Sequence, residues 1–237
     1  MADILDRSAR EPDRVVRYAP GETGVIDVYD PRGLARALVV LVHGGFWRSR
    51  YDRLHLRPLA EALAGEGLLV ALPEYRRVGD EGGGWPGTFD DIRSIVRSVR
   101  RLVGAEGARL TLVGHSAGGH LAVLAAGDET DVDRAVSLAG VLDLAAAIDD
   151  GLSDGAAQEF LGEDAAAVAT ADPMRRPVPE CEVILLHGAE DDEVPVSYSE
   201  AYAARDARIE FSHLPGGHYE LIDPEAEEFS ALLAALG

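Results

Sequence analysis

A serine, a histidine and a run of acids carry the residue types that acyl transfer needs, each beside glycine or at a predicted strand end. Ser116 lies in Gly114-His115-Ser116-Ala117-Gly118. This is a G-x-S-x-G arrangement, whose glycines permit a turn tight enough to hold the hydroxyl clear of the backbone. Asp191 stands in Glu190-Asp191-Asp192-Glu193. An acid there can accept the Nδ1–H of a histidine, fixing its tautomer and stabilising the imidazolium. Four adjacent acids leave a choice, with Asp191 preferred and Asp192 the alternative, since acids before a helix also act as caps. His218 follows Pro215-Gly216-Gly217, a loop whose glycines let it bring the imidazole over neighbouring elements.

A fourth stretch, His43-Gly44-Gly45-Phe46-Trp47, offers backbone donors. Adjacent glycines there let N–H groups face a cleft, as an oxyanion hole requires, with the Ala117 N–H as the second donor. One such donor contributes about 3 kcal/mol of transition-state stabilisation. His43 itself reads as a structural residue holding that loop. Phe46, Trp47, Trp85 and Tyr219 fall on predicted loops near these motifs and are candidates to line a pocket for an acyl or aryl group. His115 and His120 flank the serine in sequence but are expected to point elsewhere. No His-x-x-x-His or Cys-His cluster suggests a metal site, and no cofactor is expected.

Composition removes whole classes of function. The formal net charge is −20, with 22 cations against 42 acids, which argues against nucleic acid or an anionic membrane as partner. There is no Lys, so a phosphate-loop lysine, a Schiff-base lysine and a Ser-x-x-Lys pair are all excluded. The single Cys181 has no basic neighbour in sequence and reads as structural. Residues 1–19 mix acids and arginines without an apolar core, and no run approaches the ~20 apolar residues of a spanning helix. A cytoplasmic protein with a small-molecule substrate is the expectation, and a homodimer is compatible with the sequence.

The elements that must position these residues alternate. Strand patterns at Arg14 to Tyr18 and Gly24 to Tyr29 flank a Pro20-Gly21 turn and suit a hairpin. Buried-strand runs follow at 37–42, 68–72 and 110–113, then 134–138, 182–187 and 208–213. Helical patterns fall at 52–65, 88–103, after Ser116, at 197–205 and at 225–236. The sum is an α/β domain of about eight strands, a mostly parallel sheet covered on both faces. Each chemical motif then falls at a carboxyl strand end, where open parallel sheets bind ligands. Residues 141–179 break the rhythm and are expected to form a small cap over the site.

These motifs together resemble the α/β-hydrolase superfamily, over essentially the whole chain from Val25 onward. The order Ser116, Asp191, His218 is the superfamily's order of serine, acid and histidine. His43-Gly44-Gly45-Phe46-Trp47 and Gly217-His218-Tyr219-Glu220-Leu221 look most like the kynurenine formamidase and small carboxylesterase branch, where an aromatic-Trp pair replaces the third glycine of related esterases. The resemblance implies Ser116 as nucleophile, Asp191 as orienting acid and His218 as general base, with the N–H groups of Gly45, Phe46 and Ala117 as the oxyanion hole. The expected activity is hydrolysis of a small ester or N-formyl arylamide. Peptidase, lactonase or thioesterase chemistry, or a non-catalytic binding protein on the same fold, remain as alternatives.

Overall fold

The computed structural model describes residues 5, 7–163 and 166–237. Its frame is an eight-stranded sheet. The hairpin comes first: β1 (Arg14–Arg17) and β2 (Val25–Tyr29) pair antiparallel. Next come β3 (Leu38–Val42), a 3₁₀ turn at Arg53–Leu56, α1 (Arg57–Gly65) and β4 (Leu69–Pro73). Then follow α2 (Gly87–Val103), β5 (Leu110–His115), α3 (Ala117–Asp128) and β6 (Arg134–Leu138). Three short helices occupy the insertion: α4 (Leu144–Asp149), α5 (Leu152–Leu161) and α6 (Val168–Ala171). The chain ends with β7 (Glu182–Gly188), α7 (Val196–Ala203), β8 (Ile209–Leu214) and α8 (Phe229–Leu236).

Strand order is β1-β2-β4-β3-β5-β6-β7-β8, parallel from β4 to β8 and antiparallel at the β1 edge. From β3 the chain moves outward to β4, then crosses back to place β5 on the other side of β3. That reversal makes a crevice at the carboxyl ends of β3 and β5, where Val42 pairs with Gly114. The His43 loop and the Ser116 turn therefore emerge side by side. In β3, Leu38, Val40 and Val42 join the core under α2 and α3, while Val39 and Leu41 join the core under α1 and α8. A strand apolar at every position is buried on both faces, as the uninterrupted LVVLV implies.

The last helix is shorter than its pattern. The sequence suggests 225–236, but Asp223 Oδ1 accepts the N–H of Glu225 and Ala226 N–H bonds to the Asp223 carbonyl. These turns around Pro224 hold off the helix until Phe229. The insertion also differs from expectation. Within 141–179, of which 164–165 lie outside the described residues, α4 and α5 pack on each other and Phe160 of α5 packs on Trp47. The segment packs on the loops after β3 and β4. Among the described residues no helix is long and apolar enough to cross a membrane. Residues 1–4 and 6 of the expected polar N-terminal stretch lie outside the described residues.

Candidate active site

Ser116 is held by its backbone. Its φ is +55°, a conformation that costs a residue with a side chain about 1–3 kcal/mol. The turn persists because it is bonded on both sides: the Ser116 N–H donates to Leu138 O, and its carbonyl accepts from Gly119, His120 and Val141. Glycine is required around it for space. A Cβ on Gly114 would stand 2.0 Å from Gly118 O, and one on Gly118 would stand 2.2 Å from Val42 O. Strand β5, helix α3 and the end of β3 thus touch backbone to backbone, and Ser116 sits at their junction.

The imidazole follows from the β8 end. His218 is 4% exposed, and its Nδ1–H donates to Asp191 Oδ2 at 2.7 Å. With the proton on Nδ1, Nε2 carries the lone pair. Asp191 Oδ1 accepts the N–H groups of Glu193 and Val194, at 2.9 and 2.8 Å. His187 Nε2 lies 3.2 Å from Asp191 Oδ2. Burial pushes the Asp191 pKa up, but the hydrogen bonds from His187 and His218 outweigh it and hold the carboxyl far below its ordinary value. Asp192 is exposed and makes no hydrogen bond to His218. Of the two candidate acids, Asp191 is the one bonded to His218.

Ser116 and His218 line one cavity of about 290 Å³, together with Gly45, Phe46, His115, Tyr219, Arg50, Tyr51, Asp52, Leu54, His55 and Leu5. Ser116 Oγ makes no hydrogen bond among the described residues; such contacts commonly tighten only around substrate. Gly45, Phe46 and Trp47 take successive φ values of +104°, +52° and +57°. This curl leaves the N–H groups of Gly45 and Phe46, like that of Ala117, without a protein acceptor among the described residues. The loop itself is pinned. His43 Nε2 meets Glu74 Oε1 at 2.8 Å, its ring stacks on Tyr75 at 4.3 Å, and the Tyr75 hydroxyl donates to the His43 carbonyl at 2.7 Å. Burial raises the Glu74 pKa, yet the facing His43 and Arg77 bring it down to about 2. His43 thus sits in the loop's support, out of the cavity lining.

Several candidates land elsewhere than expected. Trp47 is fully buried, stacks on Phe160 at 4.7 Å, and donates its indole N–H to His120 Nδ1. Trp85 stacks on Phe89 and meets Phe160 edge-on. Neither tryptophan lines the cavity, because the insertion supplies Phe160 as an apolar partner for both. Tyr219 does line it, with its pKa raised to about 12, first by burial and then by the Glu193 charge. His115 also departs from expectation. Its Nε2–H donates to the His218 carbonyl at 3.0 Å and its ring centroid lies 4.5 Å from that of His218.

Tyr51, Leu54 and His55 were not singled out by the motifs; the signal was two large apolar side chains in an otherwise polar stretch after the glycine loop. His55 stays neutral near pH 7, its pKa lowered to about 4 by burial and the nearby His43. His187 was missed because a histidine at a strand end has no spacing signature. Cys181 is half-buried and burial pushes its thiol up to about 11, which leaves it unreactive. Among the described residues, no group of three or more His, Cys, Asp or Glu is placed to hold a metal.

With this geometry in place, residues 26–205 match the family model named BD-FAE. The chain belongs to the BD-FAE family. Among curated proteins no relative matches it. Solved structures similar to this BD-FAE chain include esterase B from Lactobacillus rhamnosis, 22% identical, covering 97% of this chain and 86% of that one, with a TM-score of 0.77. A putative thioesterase from a Silicibacter species is 23% identical over 98% and 86% of the two chains, with a TM-score of 0.75. A truncated carbohydrate esterase from gut microbiota is 19% identical over 95% and 97%, with a TM-score of 0.77. These likenesses give the BD-FAE chain the α/β-hydrolase fold.

Proposed function

We propose that this chain is a serine hydrolase that cleaves small carboxylic esters through an acyl-enzyme. The observation that carries the reading is the Asp191–His218 pair, which frees His218 Nε2 in the cavity that Ser116 lines. Ser116 Oγ attacks the ester carbonyl carbon and gives its proton to His218 Nε2. The carbonyl oxygen becomes an oxyanion that the N–H groups of Gly45, Phe46 and Ala117, without an acceptor among the described residues, stabilise. As the C–O bond breaks, the leaving alcohol takes the proton from His218. Water then attacks the acyl-enzyme with His218 again as base, releasing the acid and restoring Ser116. Esterases among the structural neighbours support this reading of the site.

A cavity of about 290 Å³ stands at the small end of ligand sites and suits a short acyl or single-ring group. The finer reading, cleavage of N-formyl arylamides, draws support from the His43-Gly44-Gly45-Phe46-Trp47 resemblance and from Phe46, Tyr51 and Tyr219 in the lining. The test is a panel of p-nitrophenyl acetate, p-nitrophenyl butyrate and N-formylkynurenine, with Ser116→Ala as control. Turnover that survives in Ser116→Ala removes the mechanism, and turnover of the esters alone removes the formamidase reading.

A further inference from the structure

We propose that Leu5, packed on the core beside the site, is a specificity-determining residue that limits the length of the apolar group the cavity accepts. The inference rests on the ester-hydrolase reading for its substrate class, but its geometry stands apart from it. The expected cap at 141–179 supplies no described residue to the cavity; the segment before β1 supplies Leu5 instead. Leu5 packs against the core cluster that contains Leu56, Leu221 and Ile222. It shares the lining with two large apolar side chains that stay open to solvent, Tyr51 and Leu54, at 37% and 45% exposed. Leu5, Tyr51, Leu54 and Phe46 give the lining an apolar part beside the polar Ser116 and His218.

Arg7 is ion-paired close by. Its guanidinium reaches Asp223 Oδ2 at 2.8 Å and Glu225 Oε2 at 2.5 Å, in the turns that follow His218. Further along, the Arg10 N–H donates to Glu61 Oε2, and Arg57 bridges Glu11 to α1. The chain from Arg7 to Glu11 is thus tied to the turns after His218 and to α1. A leucine packed on the core at this place acts as a wall: it rewards apolar groups short enough to stop against it and excludes longer ones.

The test uses the full chain and two ester series, p-nitrophenyl esters from acetate to octanoate and alkyl acetates from ethyl to octyl. Selectivity is the ratio of kcat/KM for the longest to the shortest member. Leu5→Ala should raise that ratio about tenfold in one series and Leu5→Trp should lower it, since one or two methylenes in an apolar pocket are worth this much. Arg7→Ala should move it in the same direction as Leu5→Ala. Ratios within twofold of wild type for both Leu5 variants would overturn the inference. Binding of 1-butanol and 1-octanol by calorimetry needs no chemistry at Ser116 and separates the two readings. If wild type hydrolyses no ester but Leu5→Ala favours octanol and Leu5→Trp disfavours it, the wall stands and the hydrolase reading falls. Unchanged alcohol preference in both variants overturns the wall as well.

Discussion

The carboxylate of Asp191 divides its two oxygens between two tasks: Oδ2 takes the Nδ1–H of His218 at 2.7 Å, and Oδ1 takes the N–H groups of Glu193 and Val194. The acid is thereby fixed by the turn it begins. An aspartate so held orients the imidazole instead of sharing its proton.

Asp191→Asn should lower kcat on a short-chain p-nitrophenyl ester by about 10³–10⁴-fold, because an amide favours the wrong imidazole tautomer. Asp192→Asn, an exposed site, should stay within about twofold of wild type. Equal losses in the two variants would contradict the assignment of the pair.

Phe160 connects the insertion to the glycine loop, with its ring 4.7 Å from Trp47 and 5.7 Å from His120. Phe160→Ala should cost about 3–5 kcal/mol in urea unfolding, as buried aromatic truncations do. It should also lower kcat more than it changes KM, since the loop that carries the Gly45 and Phe46 N–H groups loses its backing. Phe160→Leu should recover much of both. A stable variant with unaltered kcat would show that the loop does not need this support.

Glu74 titrates in the folded chain near pH 2 instead of its usual 4.5. A depressed carboxylate contributes stability above its unfolded pKa and loses it as pH falls toward the folded one. Glu74→Gln should therefore be less stable than wild type by an order of 3 kcal/mol near pH 7, with the gap closing between about pH 4.5 and 2. A gap that does not depend on pH would locate the cost in packing alone.

His120 carries the opposite charge type but the same sign of pH dependence. Burial lowers its pKa to about 4, so below about pH 6.5 the unfolded chain binds a proton there that the folded chain refuses. Wild type should lose about 2 kcal/mol on this account between pH 7 and pH 5. His120→Gln keeps an acceptor for the Trp47 indole and a donor for the Ala171 carbonyl, contacts of 3.2 and 2.8 Å, and should show a correspondingly shallower slope by circular dichroism. Identical slopes would mean that His120 is protonated when folded.

Strands were legible wherever both faces are buried, because LVVLV at β3 and the run at β5 have no helical reading of similar quality. The Ser116 turn was legible because its glycines are a steric requirement: a Cβ at Gly114 or Gly118 would stand about 2 Å from a neighbouring carbonyl oxygen. Asp191 could be narrowed but not separated from Asp192 in sequence, since only the fold decides which of two adjacent acids faces inward. Trp47 and Trp85 were misplaced for a similar reason. Aromatic residues on a loop beside a site fit a pocket as well as a core, and the decision fell to Phe160, more than 70 residues away from either. Leu5 had no signal at all: it precedes every motif, and only the folded chain brings it into the cavity lining.

The chain has two tryptophans, and both rest on Phe160, one stacked and one edge-on. Its tryptophan emission, excited selectively at wavelengths tyrosine does not absorb, therefore samples a single junction, between the loop after β3, the start of α2 and the helix α5. The rest of the sheet is optically silent in that channel. The indole of Trp47 also touches His120, whose protonation would quench it, so the emission of the native chain on acidification reports when this one junction loosens while circular dichroism follows the whole.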